Sequence, residues 1–380
     1  MKDLSNVFKY LDDTLQDTLN LLEELCVIPA PSGKEELRAE FVKNWLIHQG
    51  ATQTYIDEAL NVVCPINCEK AKDIVVFMAH TDVVFPDTTS LPLIKTDDKW
   101  FNPGIGDDTV CLVMMLQVIK YILDNNLTTD YGVLFVANSC EEGLGNLKGS
   151  RRIMKDFGDR VKEFYTFDGG YNRLINKCVG SHRYKISFAT KGGHSFNAFG
   201  NENAIAVMAN LINELYTCAL PNKPDTKTTY NVGIVEGGTS VNTIAQKAGM
   251  LFEYRSDDKE CLEYMKNFFF QKVNKAKENK NVSIDVELIG DRPCGGNVDI
   301  DQFNKICNKC VSICQKHTGM PCPCVAGSTD ANVPSSMGIP AVCVGSYMGG
   351  GAHTREEYLK LDSIPIGLKI TAELILDFFN

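Results

Sequence analysis

Four short runs of apolar, β-branched and aromatic residues punctuate the chain: DIVVFMAH (73–80), YGVLFVANS (131–139), EFYTFD (163–168) and IPAVCVGS (339–346). Each ends in a polar or Gly-containing loop. Alternation of apolar and polar positions is weak in all four, which marks strands buried on both faces. Between and around them, apolar residues recur at helical spacing over residues 12–26, 34–48, 108–124 and 365–378. Strands alternating with helices predict an α/β domain with a mostly parallel sheet.

The middle of the chain changes character. RYKISFAT reads as a strand and NENAIAVMANLINELYTCAL as an amphipathic helix. TTYNVGIVEGG and NTIAQKAGMLFEYRS read as two strands, DKECLEYMKNFFFQKVNKAKEN as a helix, and NVSIDVELIG as a last strand. The order β-α-β-β-α-β is that of a split βαβ, ferredoxin-like α+β unit. The α/β pattern resumes afterwards, so this unit is expected as an insertion. The expected division is 1–180 and 291–380 for the α/β domain and 181–290 for the insert. Hinges are expected near 178–182 and 289–295, the latter beside Gly290, Pro293, Gly295 and Gly296.

Composition narrows the function. At 380 residues the chain is long enough for two domains. Its net charge of -10 argues against a nucleic-acid partner or an anionic membrane surface, both of which call for basic patches. No apolar run reaches the ~18 residues of a membrane span. The acidic amphipathic start lacks the layout of a signal peptide, so a cytoplasmic location is expected. Fifteen cysteines, an odd number, suit reduced thiols better than a disulfide framework.

The candidate chemistry sits where strands end. His80 and Asp82 are two apart on an extended segment and so face one side. Asp82 can ligate a metal or orient His80 through its other ring nitrogen. Asp107 lies in NPGIGDD before a buried helix, where it can cap that helix or face a metal. Glu141 and Glu142 follow a strand as adjacent carboxylates. One can bind metal while the other serves as general base. Asp168 precedes Gly169-Gly170, and His353 follows the loop SYMGGGA. Each has a bland alternative as a turn or surface residue. Together, four of these segments directly follow strands, and open α/β sheets build sites in the crevice beyond the carboxyl ends of their strands. Two His and three carboxylates suit two divalent ions such as zinc, with one carboxylate bridging a pair ~3.5–4 Å apart.

AHTDVV, GIGDD, SCEEG, FDGG and GAHTREEY, in this order, resemble the M20 metallopeptidases of the peptidase T and glutamate carboxypeptidase kind. The resemblance covers nearly the whole chain. It implies two divalent ions, zinc or else manganese or cobalt, held by His80, Asp107, Glu142, Asp168 and His353. Asp107 would bridge them through a cis link to Asp108. Asp82 would orient His80, and Glu141 would be the general base. The insert would be a lid and dimerisation domain. In it, His194 of KGGHS would stabilise the oxyanion, often in the partner subunit's site, while Asn242 and Arg255 would bind substrate. The implied activity is hydrolysis of an amide bond in a small peptide by a di- or tripeptide aminopeptidase. An N-acyl amino acid deacylase or a carboxypeptidase is the alternative. A catalytically dead binding module would lack a ligand or the base, and all are present. Thr109-Val110 replaces the family's frequent Lys-Gly, and Glu253 stands where Asp is common. Asp168 resembles the aminopeptidase and tripeptidase branches more than the deacylases.

Other motifs lead elsewhere. CNKC (307–310) and PCPC (321–324), with His317 between, have the look of a zinc knuckle. Phe303, Ile306, Cys307, Cys310, Ile313 and Cys314 fall on one helical face, and a buried helix is expected instead. His48, His182 and His317 are expected as surface or packing residues. Neither a nucleophile elbow nor a P-loop is present.

Overall fold

A computed structural model describes residues 4–380. The chain divides into two compact units, Met1–Cys178 with Gly296–Asn380, and Val179–Gly295.

The first unit is built on an eight-stranded sheet. Its order is Tyr55–Ile56, Val62–Ile66, Gly132–Asn138, Ile74–His80, Val161–Phe167, Ala341–Val344, Leu174–Cys178 and Cys324–Gly327. The central strands pair in parallel, from Gly132–Asn138 through Ile74–His80 and Val161–Phe167 to Ala341–Val344. Leu174–Cys178 then runs antiparallel to Ala341–Val344, and Val62–Ile66 antiparallel to Gly132–Asn138. Every residue of Ile74–His80 and Gly132–Asn138 is buried, which is why these strands read as unbroken apolar runs. The helices Cys111–Asp124 and Ile364–Leu376 are buried along most of their length within the same core. The helix expected over 12–26 is two helices, Ser5–Asp13 and Leu15–Cys26, interrupted at Thr14. The Thr14 hydroxyl donates to the Tyr10 carbonyl at 2.8 Å, one turn back, a bond that competes with regular helix geometry.

A small second sheet lies outside the apolar runs of the sequence. It pairs Gly349–Gly350, Tyr358–Lys360, Lys99–Phe101 and Ile94–Lys95 in that order. Strands of two or three residues carry no readable periodicity. This sheet ties the loop containing His353 to the segment preceding Asp107.

The second unit is a four-stranded antiparallel sheet in the order Thr228–Gly237, Lys247–Ser256, Gly180–Thr190 and Val282–Arg292. The helices Ala204–Leu215 and Lys259–Ala276 pack on it, with Tyr184, Ile186, Phe188, Met250, Phe252 and Phe269 in its core. This is the ferredoxin-like order expected of β-α-β-β-α-β. Among the described residues, no helix is long and apolar enough to cross a membrane. The helix Ile300–Thr318 buries Ile306, Cys307, Cys310, Ile313 and Cys314, the face its spacing predicted.

Candidate metal centre

His80 is the last residue of its strand and is buried. Its Nδ1 lies 2.9 Å from the main-chain carbonyl of Asp82 and 3.5 Å from that residue's Oδ1. A carbonyl only accepts, so Nδ1 carries the proton and Nε2 is turned to the site. Nε2 lies 3.0 Å from Asp107 Oδ1. The Nε2 of His353 lies 3.0 Å from Asp107 Oδ2 and 3.1 Å from Glu142 Oε1. One carboxylate thus has an imidazole nitrogen on each oxygen. Lone pairs facing each other at this range repel unless a proton or a cation lies between them.

Asp107 caps no helix through its side chain. It lies in an irregular turn, Ile105–Val110, and its peptide bond to Asp108 is cis. Gly104 enters the turn at φ 85°, and a Cβ there would fall 2.2 Å from Val83 Cγ1, so glycine is required. Asp108 points away and accepts the His80 main-chain N–H at 3.0 Å.

The Asp82 carboxylate, whose Oδ1 lies 3.5 Å from His80 Nδ1, has a further task. It accepts the main-chain N–H groups of Glu141 at 3.0 Å and Glu142 at 2.9 Å, and the Ser32 hydroxyl at 2.6 Å. It therefore positions the two glutamates, while its carbonyl orients His80. Cys140, just before them, takes the left-handed φ of 58°. Its N–H donates to Glu35 Oε1 at 3.0 Å. His353 is likewise left-handed, at φ 64°, and mostly exposed. Such non-glycine conformations cost energy and persist where surrounding contacts enforce them.

His80, Asp107 and Glu142 offer ligand atoms that all lie within 4.8 Å of one another. His353 touches two of the three. Asp168 follows Val161–Phe167 at the same sheet end, is half-buried, and stands outside that tight group. Glu141 is buried beside Glu142. Among the described residues, no cysteine belongs to such a group.

Electrostatics follow from the crowding of carboxylates. Burial disfavours charge on Asp107, but the His353 and His80 hydrogen bonds outweigh it and hold its carboxyl well below the usual range. Burial also opposes charge on His80, yet Asp107 and Asp82 raise it well above an ordinary imidazole. His353 is pushed up to about 11 by its bonds to Asp107 and Glu142. Asp168 is pushed up to about 7, first by burial and then by the charge of Asp107. Two proton-loaded imidazoles around a carboxylate cluster are what a cation site looks like when protons hold the cations' places.

Sequence reading missed the groups behind the site. Glu357 is buried and accepts the N–H groups of Gly104, Gly106 and Asp107 at 2.8, 2.8 and 2.9 Å. Arg38 is buried and donates to the carbonyls of Ile28 at 2.7 Å and Thr81 at 2.9 Å, and to the Thr109 hydroxyl at 3.1 Å. Arg38 and Glu35 interrupt an otherwise apolar buried face, a signal that was readable. The three candidates in the second unit divide. Gly193–His194 pairs with Thr243–Ile244, and the Ser195 N–H donates to the Asn242 carbonyl at 2.9 Å, so His194 and Asn242 are neighbours. Arg255 lies at the far end of Lys247–Ser256, opposite Ser181.

The sequence profile of peptidase family M20/M25/M40 matches residues 76–377. The chain belongs to this family. It is an M20 metallopeptidase-type hydrolase by family and fold. It is 24% identical to the uncharacterized protein YqjE of Bacillus subtilis over 326 residues, 83% of each chain. It is 23% identical to the succinyl-diaminopimelate desuccinylase of Corynebacterium glutamicum over 371 residues, 93% of this chain and 94% of that one. Its fold resembles the crystal structure of the aminopeptidase PepT from Bacillus cereus, with a TM-score of 0.72 at 19% identity, covering 94% of this chain and 97% of that one.

Proposed function

We propose that this chain is an aminopeptidase for di- and tripeptides that works with two divalent ions, zinc in the first instance. His80, Asp107, Glu142, Asp168 and His353 would hold them, with Asp107 shared. The observation that carries this reading is Asp107, whose two oxygens each face an imidazole Nε2 at 3.0 Å. Bound ions would polarise the scissile carbonyl and acidify water. Glu141 would take the proton from that water and deliver it to the leaving amine. Asp82 would keep both glutamates in position. His194, Asn242 and Arg255 would bind the substrate, from a lid spanning roughly 181–290.

Support for an aminopeptidase comes from the aspartate at 168 and from the likeness in fold to PepT. The desuccinylase relative, matched over 93% of the chain, favours a second reading as an N-acyl amino acid deacylase. Fifteen free cysteines, fourteen of them at least partly buried, suit a reducing compartment such as the cytoplasm. A homodimer through the second unit is supported by its edge strand Thr228–Gly237, where Ile234 and Val235 are each 56% exposed.

The test is direct. The protein should bind about two zinc ions per chain. Chelation should abolish hydrolysis of tripeptides. Glu141→Gln should keep its metal and lose roughly 10²–10⁴ in kcat, the range for general acid–base catalysis. Full activity in that variant would sink the mechanism. Tripeptides failing while N-acyl amino acids turn over would select the deacylase.

A further inference from the structure

The candidate site is strongly acidic. Asp82, Asp107, Asp108, Glu141, Glu142, Asp168 and Glu357 crowd around two histidines. The proposed ions would offset much of this charge where they bind, but a peptide's terminal carboxylate lying beyond them still needs a cation of its own. Arg173 is such a cation in the first unit. It is exposed, and among the described residues no hydrogen bond or ion pair holds its guanidinium.

Topology puts Arg173 at the functional end of the sheet. Phe167 pairs with Val344, and Val344 pairs with Leu174, so the three form one row across the sheet. Asp168 lies one residue beyond that row on one side, and Arg173 one residue before it on the other. The strand Leu174–Cys178 runs antiparallel to Ala341–Val344, so its amino end coincides with the carboxyl end where the other candidates cluster. The loop between is held across the intervening strand's exit. The Ser346 N–H donates to the Gly169 carbonyl at 3.0 Å, and the Tyr171 N–H to the Tyr347 carbonyl at 3.1 Å. Gly169 is left-handed at φ 79°, and a Cβ built there would lie 3.5 Å from Arg173 Nη2. The guanidinium therefore lies over the residue next to Asp168 rather than trailing into solvent. The Cys343 thiol, which contacts the Asp168 carbonyl at 3.4 Å, feels both Asp168 and Arg173, in keeping with this placement.

We infer that Arg173 anchors a carboxylate of the substrate. This rests on the hydrolase reading above. Arginine presents a planar fork of donors matched to a carboxylate. The fork sits at the strand end that carries Asp168, where the free carboxylate of a short peptide held in the crevice can reach it.

The experiment compares wild type with Arg173→Gln and Arg173→Lys on three tripeptides. One has a free C-terminus, one is its C-terminal amide, and one is an amide with an acidic third side chain. For wild type, KM should be lowest with the free acid. Arg173→Gln should raise that KM about tenfold to a hundredfold, as expected for a lost charge-assisted bond, with kcat little changed. The amide's KM should stay put, and Arg173→Lys should recover part of the loss. A gain for the acidic side chain alone would assign the anchor to side chains instead of the terminus. Equal losses on acid and amide would overturn the role of Arg173 and leave the hydrolase reading standing. Wild type inactive on every amide substrate would overturn the hydrolase reading. Calorimetry of a free tripeptide against its amide, in wild type and Arg173→Gln, then still decides Arg173. A binding preference for the acid that vanishes in the variant supports the anchor, and no preference overturns it.

Discussion

Glu357 holds Asp107 through the backbone, accepting its N–H at 2.9 Å on the oxygen that also accepts Gly106 at 2.8 Å, while the other oxygen takes Gly104 at 2.8 Å. Three donors of one loop thus converge on one buried carboxylate. That loop carries the residue facing both histidines, so its shape decides where the two oxygens of Asp107 point.

Glu357→Gln replaces an acceptor oxygen with a donor amide that faces an N–H. At least one buried donor is then left unpaired, which costs about 1–3 kcal/mol. Metal affinity should fall roughly tenfold to a hundredfold, as when other groups that orient ligands are removed. Competition with a chromophoric chelator measures it. Unchanged affinity would mean that the loop holds its shape unaided.

Asp82→Asn tests a separate support. The carboxylate accepts Glu141 N–H, Glu142 N–H and the Ser32 hydroxyl, and an amide can satisfy only part of that set. Misplacing the proposed base and its neighbour should lower kcat about tenfold to a hundredfold, with KM nearly unchanged. A variant with normal kcat and raised KM would assign Asp82 to substrate binding.

Much of this was legible in the chain. Ile74–His80, Gly132–Asn138 and the Phe164–Phe167 half of Val161–Phe167 are buried on both faces, and that burial requires the apolar runs that reveal them. The residues gathered at the sheet end could be proposed because strand ends are readable. Asp82 shows the limit: its spacing from His80 suggested one contact, and the structure gives its carboxylate three more besides that one. Arg38 could be flagged as a charge on the buried face of its helix, but the main-chain groups that it and Glu357 bind belong to other segments, and such partners leave no mark in the sequence pattern. The small sheet that pairs Tyr358–Lys360 with Lys99–Phe101 is hidden for a related reason, because its strands are shorter than the period that would betray them.

The pH response of the metal-free protein carries the imprint of its raised carboxyls: burial lifts Asp108 and Glu35 above the usual range, and Asp168 and Glu357 with them. Asp168 moves from 3.8 to about 7, chiefly by burial and then by Asp107, and Glu357 from 4.5 to about 7, chiefly by burial. A folded-state value above the unfolded one means the fold binds the proton more tightly. The resulting stability is full below about pH 4 and drains away as pH climbs to about 7. The lowered carboxyls Asp82 and Asp107 act below this window, and the raised histidines above about pH 6.5. Chelated protein should therefore lose Tm between about pH 4 and 6.5, and Asp168→Asn should flatten that slope. Zinc affinity should rise over the same interval as protons leave the ligands. A wild-type slope surviving intact in the variant would count against the site's charge crowding.

Assembly has its own test in the edge strand Thr228–Gly237. One side of this strand pairs with Lys247–Ser256, and among the described residues the other side has no partner strand in its sheet. Ile234 and Val235 are each 56% exposed on it, at adjacent positions that face opposite sides of the sheet. An edge with apolar residues and free main-chain groups invites a second strand, and in a symmetric dimer that strand is its own copy. Placing charge there is a device that proteins use to block such pairing. Ile234→Lys with Val235→Glu should thus convert a dimer to a monomer in light scattering, with the second unit still folded by circular dichroism. Zinc content should be unchanged, because His80, Asp107, Glu142 and Asp168 all belong to the first unit. If His194 acts in the partner's site, turnover should fall with dissociation, and mixing the double variant with a His194→Ala protein should restore none of it. Turnover that is independent of oligomeric state would place His194 in its own subunit's chemistry.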